Sequence, residues 1–489
     1  MFSQSEKYAV NIGLEIHVQL STLSKTFSAD SAAFGREPNT RVNVISLGHP
    51  GTLPKLNSKV VEYAVLLGLA TQSGIARNFS FARKNYFYTD LPKGYQISQD
   101  KEPVCLGGFI RIVDEEGKRK DIRLTRIHME EDAGKSIHDQ DPEFSKIDLN
   151  RAGVPLLEIV SEPEISSPLE AYHYVSEVRR LVRHLGISDG NMEEGSLRCD
   201  ANVSIRLKDA VQLGTRTEIK NLNSINFVKK AIIKEMKRQE ELIESGAAVM
   251  RQTLGYNSTT DELYLLRSKE EAHDYRYFPE PDLPRFVIGE EYIQNIKKQM
   301  AVLPWEWQDR FSGEMGLSGY DAALLAEEKD LAQFFSEITA LTPHIKAAAN
   351  WMIGPVRSLL NERKCSLSEL GIKPSQIARL VEMTQNGTVN LNVAQQQILP
   401  ILLSGEKDDP YEIAVEHQWL KESDTEKIRS ALLEILARFP DKAEDYRKGK
   451  KNLAGLFMGE LMKKTGGKAD PKIAMEILNT IVSEKKEER

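Results

Sequence analysis

Residues 10–20 place an acid and an imidazole two residues apart on one side of a predicted strand. Apolar and polar residues alternate strictly along this stretch, and Glu15 and His17 fall on its polar side. Period two is typical of a half-buried strand, and two residues of strand span roughly 6–7 Å on one face. Glu15 and His17 could therefore reach one metal ion. Taken alone, the stretch is better explained as a strand with a merely solvated polar face.

Four further stretches show related patterns. Residues 196–207 and 215–220 alternate as well, residues 123–130 do so less regularly, and residues 156–160 place an acid between apolar neighbours. Each predicted strand offers a carboxylate, so together they predict one sheet lining a site for a cationic ligand. The polar-face residues are Arg126, His128, Glu130, Glu158, Arg198, Asp200, Arg206, Arg216, Glu218 and Lys220.

These residue types favour phosphoryl transfer assisted by a metal ion. Carboxylates with few imidazoles suit an oxygen-preferring ion, Mg²⁺ above all, and arginines hold phosphate oxygens in a fork geometry. We assign the phosphate role to Arg198, Arg206 and Arg216. No GxxxxGK[ST] motif and no strand–GxGxxG–helix pattern occurs, which excludes P-loop and Rossmann nucleotide sites on motif grounds. A buried network of ion pairs would use the same residues, and the pattern alone leaves that alternative open.

The composition is that of an ordinary globular protein, and 489 residues suffice for two to four domains. The net charge of −7 is mild, so any contact with RNA must come from local patches. Cys105, Cys199 and Cys365 form no CxxC pair, which suits a reducing cytosol rather than a disulfide framework. Neither a signal-peptide core nor a run of about 18 apolar residues is present, so we expect a cytoplasmic protein.

Three regions of the chain differ in predicted secondary structure. Residues 1–295 are strand-rich, with amphipathic helices predicted over residues 58–69, 168–185 and 226–244. Residues 296–489 are predicted to be helical. The middle region, residues 296–404, has predicted breaks at Pro304, Gly316, Pro343, Pro355 and Gly371. The last region, residues 405–489, contains small basic clusters that could contact RNA or simply be solvated. Their principal members are Arg447, Lys448, Lys463 and Lys464.

Seven long motifs resemble, in order, those of the B-subunit family of aspartyl/glutamyl-tRNA amidotransferases. The ending NLAGLFMGELMKKTGGKADPKIAMEIL is similar to the C-terminal tail of that family, so the resemblance covers essentially the whole chain. The seven motifs are GLEIHVQL, KNYFYTDLPKGYQISQ, HMEEDAGKS, DLNRAGVPLLEIVSEP, NMEEGSLRCDANVSIR, EIKNLNSINFV and EAHDYRYFPEPDLP.

The resemblance implies an α+β fold with three domains. These are an antiparallel-sheet catalytic domain distantly like glutamine synthetase over residues 1–295, an all-helical domain over residues 296–404, and a tRNA-binding tail over residues 405–489. It implies that ATP and Mg²⁺ serve to phosphorylate the side-chain carboxylate of Glu-tRNA(Gln) or Asp-tRNA(Asn), which ammonia then amidates. The amidase component of a heterotrimer would release the ammonia, and a small third component would tie the complex together. Neither a membrane nor DNA is an expected partner.

The resemblance also implies roles for individual residues. An ammonia channel would pass Lys84 and Lys93 and open near Glu130. Combining these roles with the strand faces, we expect Glu15, His17 and Glu130 to share one Mg²⁺. The residues expected to form the catalytic site are Glu15, His17, Glu130, Glu158, Asp200 and Glu218.

One departure from the family concerns zinc. Many members carry four zinc-binding cysteines near the N-terminus, whereas the matching positions here are Ser28, Asp30, Asn43 and Ser46. We therefore expect no zinc, and we expect packing to hold this hairpin instead.

Two other functions compete with the B-subunit assignment. A free-standing ligase acting on a small carboxylate would need neither the helical regions nor the basic tail. A non-enzymatic tRNA scaffold would not place acids on its binding face, because RNA phosphates repel them unless Mg²⁺ intervenes. No glutaminase nucleophile is evident, so ammonia production requires a partner. The sequence does not distinguish the Gln route from the Asn route.

Overall fold

A computed structural model describes residues 7–114, 116–137, 143–268, 274–420, 425–465 and 469–487, apart from the side chains of residues 447 and 483–487. The chain divides into two compact units, Met1–Pro304 and Trp305–Arg489. The first unit holds a large sheet and the second is helical, which confirms the predicted α+β class. Among the described helices, none combines the length and the apolar character needed to cross a membrane.

The first unit contains the strands, and the long ones carry the predicted site residues. Observed and predicted strand ends differ by only a few residues, because polar and apolar alternation defines the middle of a strand better than its ends. The strands are β1 (Tyr8–Gln19), β2 (Gly74–Ile75), β3 (Asn78–Phe79), β4 (Ala82–Asn85), β5 (Tyr95–Ser98), β6 (Cys105–Leu106), β7 (Phe109–Val113), β8 (Arg119–Glu131), β9 (Lys135–Ile137), β10 (Lys146–Asp148), β11 (Pro155–Ser161), β12 (Leu197–Leu207), β13 (Thr217–Leu222), β14 (Gln252–Asn257), β15 (Glu262–Ser268), β16 (Phe278–Pro279) and β17 (Phe286–Val287).

Ten of these strands form one sheet in the described part of the chain. Its order is β15-β14-β13-β12-β1-β11-β8-β6-β2, and β7 pairs with β8. Neighbours are antiparallel, as expected, except that β13 and β14 run parallel, so the sheet is mixed. The five strands that bear the predicted acids are therefore adjacent in the sheet, and β1 is the central one of the five.

Strand β1 is held in place by its apolar face. Its burial alternates residue by residue, and Ile12, Leu14 and Ile16 are fully buried. Burying such a side chain is worth about 1.5–3 kcal/mol, so a slip of one residue, which would turn the polar face into the core, is strongly disfavoured. The core face thus fixes Glu15 and His17 on the opposite side.

Four helices accompany the sheet. The three predicted from sequence are confirmed to within one residue at each end. In α2 the Ser167 hydroxyl accepts from the Glu170 amide at 3.1 Å and Pro168 opens the first turn, a favourable N-terminus. α3 packs against α2 and β12. The helices are α1 (Ser58–Ala70), α2 (Pro168–His184), α3 (Ile225–Glu244) and α4 (Glu290–Gln299).

The second unit is built from helices around two separate hydrophobic cores. One core extends from Trp307 to Ala414 and the other from Ile428 to Ile481. The first core includes Ile413 and Ala414, which lie beyond residue 404; the domain limits at residues 295 and 404 stay predictions. The helices are α5 (Pro304–Asp309), α6 (Gly319–Leu325), α7 (Lys329–Leu341), α8 (Ile345–Trp351), α9 (Arg357–Arg363), α10 (Leu367–Leu370), α11 (Pro374–Gln385), α12 (Leu391–Val393), α13 (Leu399–Ser404), α14 (Pro410–Glu416), α15 (Thr425–Arg438), α16 (Pro440–Arg447), α17 (Ala454–Lys464) and α18 (Pro471–Glu487).

The break predicted at Pro355 is wrong. Helices α8 and α9 are joined without interruption by a π-helical turn, Met352–Val356, that contains this proline. Proline lacks the amide hydrogen that an α-helix requires, and a wider turn accommodates the missing hydrogen bond locally. The helical run therefore continues through the proline.

Candidate active site

Site residues line up across four neighbouring strands. His17 on β1 lies opposite Glu158 on β11 and opposite Arg198 on β12, and Glu158 in turn lies opposite His128 on β8. Directly opposed residues of antiparallel strands project from the same face. The pairing thus forms one transverse row of side chains, with Glu15 and Asp200 opposed in the adjacent row.

The His17 imidazole is the centre of this face. Its Nε2 atom lies 3.2 Å from a Glu158 oxygen, 3.5 Å from Glu130 and 3.9 Å from Glu15. His128 approaches the same acids, with its Nε2 atom 3.5 Å from Glu158 and 3.8 Å from Glu130. Two imidazoles and three carboxylates therefore converge on a small region of the sheet.

The pKa shifts in this region reflect the close pairing of acids with imidazoles. Burial would lower the pKa of His17, but the hydrogen bond to Glu158 and the charge of Glu130 outweigh it and raise the pKa to about 9. Burial and the neighbouring Glu158 raise the pKa of Glu15. Burial acts to raise the pKa of Glu158 too, yet His128 and His17 hold it well below its usual range. Without another cation, the cluster therefore keeps a proton on His17.

Two groups of ligand atoms are compact enough for a metal ion. The donor atoms of Glu15, His17 and Glu158 lie within 4.8 Å of one another, and so do those of His128, Glu130 and Glu158. Carboxylate oxygens and imidazole nitrogens crowded together fit a divalent cation. The predicted set of Glu15, His17 and Glu130 is divided between these groups, and Glu158 belongs to both.

Sequence reasoning did not assign His128 to the site, although it placed this residue on the same face as Glu130. The signal that could have found it is its spacing: His128 and Glu130 are two residues apart, as are Glu15 and His17. Two strands thus present the same pair of residue types in the same spacing.

A second cluster lies beside Glu15 and centres on Lys220. The Lys220 Nζ atom lies 2.7 Å from Asp200 and 3.2 Å from Glu218. Burial would lower the pKa of Lys220, but Asp200 and Glu218 outweigh it and raise the pKa. An irregularity in the pairing of β12 with β13 falls at Asp200, and such bulges often occur next to active sites. Asp200 and Glu218 are thus brought together, as predicted, with a lysine between them.

Arg198 reaches a buried acid that sequence reasoning did not single out. Its guanidinium lies 2.9 Å from Asp132, which also accepts a hydrogen bond from Gln19 at 2.8 Å and has Arg151 3.6 Å away. Burial would raise the pKa of Asp132, but Arg198 and Arg151 lower it. Arg198 is thereby fixed beside His17, where it can face an anionic ligand.

Arg206 and Arg216 are not brought to the acids. Arg206 donates to Asn11 at 3.1 Å and to the carbonyls of residues 208 and 210, at the far end of β12. It lies six residues from Asp200, which is about 20 Å along a strand. Arg216 is exposed and precedes β13. The predicted phosphate role of these two arginines therefore receives no support from their positions.

The two lysines of the predicted ammonia route lie near acids at the end of β8, Lys84 near Glu130 and Lys93 beside Glu131. Burial would lower the pKa of Lys84, yet Glu130 outweighs it and raises the pKa. The Lys84 ammonium also lies 5.0 Å from the centre of the Tyr275 ring. Lys93 forms an ion pair with Glu131, whose carboxylate also accepts from the Ile97 amide at 2.9 Å. Both lysines are thus close to β8, where Glu130 is located.

The four positions that match the family's cysteines lie together. The Asp30 carboxylate accepts hydrogen bonds from the hydroxyls of Ser46 at 2.8 Å and Ser28 at 3.2 Å, and from the Asn43 amide at 3.1 Å. The Asn43 side chain accepts in turn from the amides of Ile45 and Ser46. Packing is the expected substitute for zinc in this hairpin, and the structure adds polar side chains that bond to one another at its centre.

The basic residues of the tail lie on or next to α16 and α17. Lys448 lies 3.6 Å from Glu444, Lys463 lies 3.0 Å from Glu460, and Lys464 pairs with Glu434. Lys448 and Lys463 are largely exposed, so these ion pairs are weak and could give way to another anion. Arg447 ends α16, and its side chain lies outside the described part.

Comparisons with known proteins cover both units. Residues 10–294 match the model of the GatB/GatE catalytic domain, and residues 333–482 match that of the GatB domain. A B subunit of aspartyl/glutamyl-tRNA(Asn/Gln) amidotransferase from Thermodesulfovibrio yellowstonii is 47% identical over 98% of this chain and 100% of its own length. Proteins of the same name from Geotalea uraniireducens and Syntrophotalea carbinolica are 46% and 44% identical over 96% and 97% of this chain, and 98% of their own lengths. The chain therefore belongs to the GatB/GatE family of tRNA amidotransferase subunits.

Proposed function

We propose that this chain is the B subunit that converts Glu-tRNA(Gln) or Asp-tRNA(Asn) into Gln-tRNA(Gln) or Asn-tRNA(Asn). The γ-phosphoryl group of ATP is transferred to a side-chain carboxylate oxygen, giving an acyl phosphate and ADP. Ammonia then attacks the carbonyl carbon, inorganic phosphate leaves, and the amide loses a proton. The observation that carries this proposal is the convergence of three carboxylates within 3.9 Å of the His17 imidazole.

The acids of the cluster supply what a reaction between two anions needs. A carboxylate and a triphosphate repel each other, and a bound Mg²⁺ supplies the charge neutralisation that lets them meet. Glu15, His17, Glu130, Glu158 and His128 would hold this ion, because their donor atoms form the two compact groups described above. Two groups that share Glu158 also suit a pair of ions.

The cations next to the cluster take complementary roles. Arg198 is fixed by Asp132 beside His17, and it would bind an oxygen of the transferred phosphoryl group. Lys220 holds Asp200 and Glu218 in place next to Glu15. We assign no phosphate contact to Arg206, whose guanidinium is occupied by Asn11 and by backbone carbonyls.

The amide nitrogen would come from glutamine through a partner protein of the amidase type. Lys93 and Lys84 line the proposed approach of ammonia to Glu130. Their positive charges would repel ammonium and admit neutral ammonia, which is the form that attacks a carbonyl carbon. A second small partner would complete the heterotrimer, and the tail would contact the tRNA.

Replacement of Glu15 by glutamine tests the chemistry. This change keeps the shape of the side chain and removes its charge, so we expect weaker Mg²⁺ binding. Loss of a catalytic metal ligand should lower the amidation rate on the order of a hundredfold or more. The variant, assembled with its partners, should still bind misacylated tRNA and hydrolyse glutamine. It should fail to form the acyl phosphate, and added ammonia should not restore amidation.

Asp121→Asn serves as the control for this experiment. Asp121 also lies in the sheet, on β8, but pairs with Arg111 at 2.7 Å and belongs to neither metal-binding group. This variant should keep full activity. Rescue of Glu15→Gln by free ammonia would assign Glu15 to ammonia delivery and overturn its metal role. A wild-type complex that consumes no ATP during amidation would overturn the proposed reaction itself.

A further inference from the structure

A pocket of about 300 Å³ opens at the end of β1, next to the acid cluster. Gln19 contributes to its wall and lies on the same face of β1 as Glu15 and His17, at the end of the strand. Four residues of strand separate Gln19 from Glu15, which is about 13 Å. The acid cluster and this pocket are therefore neighbours along one strand face, and an elongated ligand could extend from one to the other.

The lining of the pocket also includes an exposed aromatic ring. Phe34 is 69% exposed, although a phenylalanine gains most when it is buried. The loop that carries it is hydrogen-bonded to β10 and to the segment after it. Asn39 donates to the Ile147 carbonyl at 2.9 Å and accepts from the Leu149 amide at 2.8 Å, and Asn150 bonds to residues 37 and 41 of the loop. The fold thus holds this ring in solvent on a tethered loop.

Four of the six charged residues that line the pocket form no ion pair with another described residue, whereas Arg151 lies 3.6 Å from Asp132. Within the described residues, neither Arg36 nor Lys135 forms an ion pair, and the same is true of Glu193 and Glu194. Asp148 differs, because its carboxylate accepts from the amides of Asn39 and Asn150. The pocket therefore offers two unpaired cations, two unpaired acids and one exposed ring. These charged residues are exposed, and a ligand complementary to all of these groups would carry anionic, cationic and flat apolar groups.

We propose that this pocket receives the aminoacylated 3′-terminal adenosine of the tRNA substrate, with its base stacked on Phe34. This inference rests on the proposed function and specifies where the substrate lies. Arg36 and Lys135 would contact the adjoining phosphates. Glu193 and Glu194 would attract the free α-ammonium group, which is the cationic group of an aminoacyl ester. The side-chain carboxylate would then point along β1 towards His17.

Binding of two uncharged tRNAs, one intact and one lacking its terminal adenosine, tests this assignment without any catalysis. The assembled wild-type complex should bind the intact tRNA about tenfold more tightly at fixed salt, as expected for stacking of one base on an aromatic ring. Phe34→Ala should abolish this preference and Phe34→Trp should retain it. Phe144→Ala is the matched control, because Phe144 is 68% exposed and does not line the pocket.

Kinetics provide the second measurement. Phe34→Ala should raise the KM for misacylated tRNA about tenfold, while the KM for ATP and the glutaminase rate stay unchanged. A Phe34→Ala complex that still prefers the intact tRNA overturns the assignment. So does a failure of this variant to assemble with its partners, which would identify Phe34 as a protein contact. Failure of the wild-type complex to amidate tRNA would instead overturn the proposed function, and the binding preference would still test the pocket.

Discussion

Lys25 is a fully buried lysine whose ammonium donates to a backbone carbonyl, that of Arg41, at 2.7 Å. Burial lowers its pKa to about 8, and the nearby Asp30 and Glu131 compensate only in part. The folded chain therefore binds fewer protons than the unfolded chain between pH 8 and the ordinary lysine pKa of about 10.4. The free energy of unfolding should therefore rise with pH across this interval. Below it, Lys25 is charged in both states, and the folded chain bears the full cost of burying that charge.

Calorimetry of the wild type and of Lys25→Met at pH 7.5 and pH 9.5 tests this expectation. The variant carries no charge at this position, so other pH effects cancel in the difference between the two proteins. The unfolding temperature of the wild type should increase relative to that of the variant as the pH rises. A difference that stays constant, or that changes in the opposite direction, would show that the buried amine does not titrate here.

The sheet face on which each site residue lies was predictable, because it depends on the alternation within a single strand. Alternation placed Glu15 and His17 on the polar face of β1, and the structure has them there. The grouping of these acids into metal-binding sets depends instead on the register between strands. The sequence of a single strand does not contain that information. Glu158 belongs to both groups because β11 lies between β1 and β8 and sets this residue opposite both His17 and His128.

At the scale of elements, the hydrogen bonds of the hairpin around Asp30 lead us to expect that it does not bind zinc. Asp30 accepts three hydrogen bonds from the other positions of the set, and its neighbours are hydroxyl and amide groups rather than thiolates. Structural zinc sites use cysteine and histidine, so this set should not hold the ion. Elemental analysis of the purified chain should find well under one zinc per molecule, and a zinc-selective chelator should leave thermal unfolding unchanged when Mg²⁺ is present in excess. One zinc per chain would contradict this.

The elements themselves were largely predictable, because hydrophobic periodicity and capping residues are local signals. Helix α2 shows this with Ser167 and Pro168 at its beginning. Two features were not local. The parallel pairing of β13 with β14 depends on how the chain returns through α3, and the continuation through Pro355 depends on a π-helical turn. Neither leaves a signal in residue spacing.

At the scale of the whole molecule, the hydrophobic cores decide where the chain can be shortened. The predicted tail limit at residue 405 would remove α14, whose Ile413 and Ala414 are buried in the core shared with the preceding helices. The core of the last helices begins at Ile428. Removal of residues 425–489 should therefore leave the remaining helical core and the sheet folded. Circular dichroism with proteolysis would report this.

This truncation predicts how the tail contributes to tRNA binding. Lys448, Lys463 and Lys464 each pair with an acid at the surface, and such pairs are worth little, so phosphates can replace their partners. Each phosphate contact releases counterions and adds about 0.9 to the slope of log affinity against log salt. The truncated chain, assembled with its partners, should bind tRNA more weakly at low salt and with a shallower slope.

A single substitution separates electrostatic contact from loss of a folded region. Lys463→Ala removes one charge from α17, while Lys118→Ala removes a comparably exposed lysine, paired with Glu116, from the sheet unit. We expect the salt slope to fall by about one for the first variant and to stay unchanged for the second. If the salt slope in both variants and in the truncated chain equals that of the wild type, the basic clusters are only a solvated surface. A fall in affinity at unchanged slope would mean that the tail acts through shape rather than charge.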